Sequence, residues 1–236
     1  IAEATENARF GGNLNASGTE PTQASINTTG VLTDATGAIG PNSNLVDLRN
    51  ASGDQLFNTG DVITFDGITK GGAELPKRTF EVNTNAAASG NEDANGTQLN
   101  ELTTFMEDIF GLETGLTNPG ATNPGVGLNG SNELQVTGNT GTVNDLTIES
   151  GDITNDGGGL STPFSVSKDA ETDGESVRTS FAAYDSLGKE LQIDLSMVLE
   201  SKNASGTTWR YYAQSDDDAG VDRNIATGTL DFDANG

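Results

Sequence analysis

Apolar residues in this chain arrive in short runs that alternate with polar ones, and glycine interrupts them at close intervals. The longest alternation is LQIDLSMVL. Leu191, Ile193, Leu195, Met197 and Leu199 fall on one face of an extended strand, and Gln192, Asp194 and Ser196 fall on the other. Such a period-two pattern requires a strand with one face on a core and the other in water. With 31 glycines, 6 prolines and a hydrophobic share of 33% in 236 residues, the chain favours short strands, tight turns and lean cores. The expected fold is mainly β and multi-domain, with a β-sandwich or barrel-like C-terminal domain and an inserted α+β unit containing one helix.

Three regions separate by pattern. Residues 1–44 are polar and rich in small residues, and read as loop and edge-strand material. Residues 45–155 form a better defined unit. GDVITFDGI and KRTFEVN alternate around TKGGAELP, which predicts a hairpin. In TQLNELTTFMEDIFG, Leu99, Leu102, Phe105, Met106, Ile109 and Phe110 recur at helical spacing, which predicts a helix over about 97–111. Thr97 is placed to cap its start, and Gly111 sits where a left-handed residue closes a helix. After a Pro/Gly-rich loop around TNPGATNPGVG, the segments ELQVTGN and VNDLTIES supply a second predicted hairpin.

GDITNDGGGLSTP, over about 151–163, reads as a linker. Beyond it, PFSVSK, RTSFAAY, LQIDLSMVLES, TWRYYAQS and TGTLDFD form a run of strands over 156–236. The N-terminus lacks a methionine and a signal-like segment, and the chain stops abruptly at LDFDANG, so both ends read as cuts in a longer protein. No apolar run is long enough to cross a membrane as a helix.

The chain contains neither Cys nor His. That removes disulfides, thiolate nucleophiles, the usual zinc ligands and every Ser-His or Cys-His pair. With 35 acidic and 11 basic residues the formal net charge is −24, which argues against nucleic acid and membrane surfaces as partners. Like-charge repulsion also predicts that this stretch of chain is a monomer in dilute buffer.

YDSLG tests the enzyme reading most directly. Ser186 has no His for a base and lacks the Gly-x-Ser-x-Gly spacing of a nucleophile elbow. A structural turn asks less. Asp185 can bond to the backbone ahead of it, Ser186 and Leu187 form the tip, and Gly188 takes positive φ, with Leu191, Ile193, Leu195 and Met197 as the core side of the outgoing strand.

No catalytic, cofactor-binding or metal-ligating residue is assigned. Calcium is the sharper reading of the acid excess. DFDANG, with Asp231, Asp233, Asn235 and Gly236, matches only the first half of a calcium loop, and the Asp216–Asp218 run reads as a solvated loop.

AAYDSLGKELQIDLSMVL, followed by TTWRYYAQ and then ATGTLDFDANG, resembles the outer β domain of the bacterial flagellar hook protein family, and FGGNLNAS at 10–17 is similar to its entry segment. On that resemblance, 1–44 supplies entry strands to the hook β domain, 45–155 is an inserted hairpin-helix-hairpin unit and 156–236 is the hook-type domain. The resemblance further implies a non-enzymatic structural subunit without cofactors. It would be exported by the flagellar secretion apparatus to the cell exterior and polymerise with copies of itself into the curved tube that couples rod to filament. Rod proteins, the hook cap and the hook-filament junction would be its partners. A distal-rod or other axial protein shares the turn motif, and a calcium-dependent surface adhesin module shares the composition.

Overall fold

The computed structural model describes residues 5, 14, 18, 21–83, 92–115, 122–215, 217 and 220–234. Two hydrophobic cores organise them. The larger collects residues from Ala24 to Phe164, and the smaller is built on Leu195, Met197, Leu199 and Trp209. The chain is mostly β with a single α-helix among the described residues.

Two four-stranded sheets enclose the larger core. One is antiparallel, in the order Val166–Ala170, Gln23–Thr28, Leu134–Thr140, Gly125–Leu128; the other runs Ile153–Asp156, Val62–Phe65, Arg78–Val82, Ala94–Gly96, with its last pair parallel. The first predicted hairpin is present as the pairing of Val62–Phe65 with Arg78–Val82, and the segment between them folds into its own small hairpin, Thr69–Lys70 with Ala73–Glu74.

The helix spans Leu99–Ile109 and buries Leu99, Leu102, Thr103, Phe105, Met106 and Ile109. Its Phe105 ring meets Phe65 at 5.7 Å and Phe80 at 5.4 Å between centroids, so the apolar stripe is spent on the chain's own sheets. Gln98, rather than Thr97, is the N-cap. The Glu101 carboxylate reaches back to accept from the backbone N–H groups of Thr97 (2.7 Å) and Gln98 (2.9 Å). Those bonds hold its carboxyl below the usual range. Gly111 closes the helix at φ 59°.

Three expectations change. Gln23–Thr28 is an interior strand paired on both sides, to Leu134–Thr140 and Val166–Ala170, and its Ala24 and Ile26 lie in the larger core rather than with the C-terminal sheet. The partner of Leu134–Thr140 in the second hairpin is Gly125–Leu128, not 143–150; Leu146–Thr147 pairs instead with Thr69–Lys70. GVGL lacks the alternation that marks a half-buried strand, which concealed it within the loop.

Nor is 151–163 merely a linker. Ile153–Asp156 is a paired strand, and the glycines after it wrap the buried carboxylate of Asp61. Asp61 accepts from Asn58 N, Asn155 Nδ2, Gly158 N and Gly159 N at 2.7–3.0 Å. Burial alone would raise its carboxyl, but these four donors outweigh burial and hold it low. A Cβ at Gly157 or Gly159 would strike Asp61, so the triple glycine reflects close packing around a charge.

The C-terminal sheet is an antiparallel meander of Ser176–Tyr184, Glu190–Asn203, Gly206–Gln214 and Asn224–Asp233. Trp209 pairs with Leu199 on its core face, and Phe181, Tyr211, Ala213, Phe232 and Leu14 pack around them.

Candidate functional site

At the YDSLG turn, Asp185 and Lys189 close the hairpin, with Asp185 N donating to Lys189 O at 3.0 Å. Asp185 Oδ1 accepts from Leu187 N and Lys189 N, each at 2.8 Å, and Gly188 N donates to Asp185 O at 3.0 Å. Gly188 has φ 79°, which gives a three-residue loop ending in a left-handed residue. Ser186 is exposed, and Leu187, 87% exposed, stands at the tip. Asp217 ties the neighbouring loop to this hairpin by accepting from Gln192 N at 3.0 Å and approaching Lys189 Nζ at 3.7 Å.

The outgoing strand behaves differently along its length. Leu191 and Ile193 are half-buried, whereas Leu195, Met197 and Leu199 are buried. Its second face is not wet throughout, as alternation implies: Ser196 and Val198 are buried too. That face rests on the larger body near 140–144. The Cβ position of Gly141 lies 2.5 Å from Val198 Cγ1, and Val143 N donates to Ser176 Oγ at 3.1 Å. Tyr212, directly across from Ser196, is buried on the same face, and burial pushes its phenol up.

The junction between the two bodies continues into a cluster of charges that motif reading did not find. Lys70 is buried and donates from Nζ to the two carbonyls that follow the helix, Phe110 O at 3.0 Å and Gly111 O at 2.9 Å. A cation at this end suits the helix dipole. Asn139 Nδ2 also donates to Gly111 O, at 2.8 Å, and Gln214 Nε2 donates to Asn224 Oδ1 at 2.6 Å against the same turn. Burial, with repulsion from Arg223 and Arg178, pushes the Lys70 ammonium down to about 7, while Glu113 and Asp222 pull it upward. Burial raises the carboxyls of Asp108 and Glu113, with repulsion from Asp222 next in size. The sequence displays only the charge of Lys70; its neighbours are gathered from along the chain, from Phe110 and Gly111 about forty residues on to Arg178 and Arg223, more than a hundred residues away.

The calcium reading finds no site among the described residues, where no group of acidic side chains converges as metal ligands would. Asp231 and Asp233 lie in the last strand, and Asp231 Oδ1 accepts from Thr208 Oγ1 at 2.7 Å. Asp216, Asp218, Asn235, Gly236 and most of FGGNLNAS lie outside the described residues.

The C-terminal meander thus combines this turn, an alternating core strand and a buried tryptophan opposite it. Residues 155–236 match the family model described as the flagellar basal body protein FlaE D2 domain, so the chain carries a flagellar hook domain. The matched segment begins within the strand Ile153–Asp156, so its first residues lie on the larger body's sheets. Among solved structures, the crystal structure of Helicobacter pylori flagellar hook protein FlgE2 matches with 12% identity and a TM-score of 0.24, over 91% of this chain and 50% of that one. This chain spans about half the length of that hook protein. No curated protein matches the chain significantly.

Proposed function

We propose that the protein is a structural subunit of the bacterial flagellar hook, polymerising with copies of itself into the curved tube that couples rod to filament. The match of 155–236 to a flagellar basal body domain is the observation that carries this reading. The turn, core strand and final strand quoted for the resemblance all lie inside that segment. The YDSLG turn and the strand holding Leu191, Ile193, Leu195 and Met197 serve the domain's stability and not a reaction. Secretion to the cell exterior, and contacts with rod, hook cap and hook-filament junction proteins, follow from the same reading.

The two cores support a division into two domains, with the crossing near 171–175 and at 21–22. There Thr22 N donates to Asp173 O at 2.9 Å and Asp173 N to Thr22 Oγ1 at 2.7 Å. The 236-residue chain, at net charge −24, is expected to sediment as a monomer, and a tight, salt-resistant dimer would replace the helical-polymer reading with a closed oligomer. Antibodies raised against 155–236 test the assignment directly. Immunogold label is expected along the hook in electron micrographs of flagellated cells, and label on the rod or scattered over the cell surface would overturn it.

A further inference from the structure

Between the small hairpin of Thr69–Lys70 and Ala73–Glu74 and the C-terminal sheet lies a cleft of about 280 Å³. Its lining includes Lys70, Arg178 and Arg223, three of the eleven cations in a chain of net charge −24. We propose that this cleft is a binding site for a small oxyanion of the phosphate, sulfate or carboxylate class, held jointly by the two bodies.

The volume falls near the lower end of small-molecule sites, about 300 Å³, which suits a small ion rather than an extended ligand. Lys70 has three donors, of which the carbonyls of Phe110 and Gly111 take two, and the third is available to the cleft. Arg178 reaches Asp194 at only 3.5 Å, a long contact that an anion in the cleft can compete with. Gln214, in the lining, adds an uncharged polar group.

The electrostatics favour the same occupant. Burial and the repulsion of two guanidinium groups disfavour the charged form of Lys70. Glu113 and Asp222 compensate in part, and the carboxylates of Glu74 and Asp194 also line the cleft, leaving the lining with three cations against two anions. An oxyanion accepting from Lys70 and from the flat fork of Arg178 would relieve that repulsion. Since Lys70 comes from the larger body and Arg178 from the C-terminal sheet, a bound anion would tighten the joint between them.

Titrating the whole chain with inorganic phosphate and with sulfate, against sodium chloride at matched ionic strength, tests the site. Saturable amide shifts at Val143 and Gln214 are expected, together with an upward move of the Lys70 titration followed at its side-chain methylene. Arg178→Gln, at the cleft rim, is expected to weaken phosphate binding about tenfold or more, the loss of one charge-assisted partner. Lys70→Met would remove binding, and circular dichroism checks that both variants fold. If Lys70→Met unfolds, Arg178→Gln decides alone. Shifts reproduced by chloride, shifts that do not saturate, or an Arg178→Gln chain that binds phosphate as well as the parent would overturn the proposal.

Discussion

Gly141 sits where the two bodies touch, and Gly141→Ala probes that contact at a single atom. The residue has φ 87° and ψ 149°, a region that is nearly glycine-only and costs an L side chain about 1–3 kcal/mol. The added Cβ would lie 2.5 Å from Val198 Cγ1 and 2.8 Å from Cγ2, so Val198, buried on a packed strand, would have to move. Overpacking of this kind costs about 1–3 kcal/mol, for a total of about 2–6 kcal/mol.

Val198→Ala alone should cost about 2 kcal/mol, two methyl groups at about 0.8 kcal/mol each plus a small cavity. In that background the steric part of Gly141→Ala disappears and only the backbone part remains, which leaves a coupling of about 1–3 kcal/mol between the substitutions. Urea unfolding followed by Trp209 fluorescence is the assay, since this single tryptophan is buried in the C-terminal sheet. Costs that simply add, within about 0.5 kcal/mol, would show that the two residues do not press on each other and that the junction is built differently.

Leu195→Asp should unfold the C-terminal sheet, at several times the roughly 1 kcal/mol of an average substitution, because it buries a charge beside Trp209; Ser186→Ala should leave the same urea curve unchanged. Asp61→Ala should cost about 3 kcal/mol by stranding the donors that surround the carboxylate. Since the folded state lowers the Asp61 pKa, its contribution is complete above the unfolded value of about 3.9 and is lost as pH falls through the folded one. Acid unfolding of the parent should therefore show a stability decline that Asp61→Ala lacks. Lys70 has the opposite sign. Its folded value of about 7 lies below the ordinary 10.5, so the folded state binds fewer protons between them and stability should rise from pH 7 toward 10, a slope that Lys70→Met removes in urea titrations.

The local elements were legible in the sequence wherever one residue's neighbours along the chain decide its conformation. The helical spacing of Leu99 to Ile109, the left-handed stop at Gly111 and the Asp185–Gly188 turn depend on contacts a few residues apart. The nine-residue alternation that starts at Leu191 likewise announced a strand with a core face. Strand partners were not legible. Gly125–Leu128 carries almost no side-chain signal, and Gln23–Thr28 could be recognised as an interior strand only once Leu134–Thr140 and Val166–Ala170 lay beside it. The glycine run at 157–159 read as a linker because the carboxylate it wraps, Asp61, is nearly a hundred residues away. Burial of Ser196 and Val198, and the gathering of Lys70, Arg178 and Arg223, were settled by the packing of one body on another. Periodicity reports which face of a strand is apolar; whether the other face meets water or protein depends on the tertiary partner that covers it.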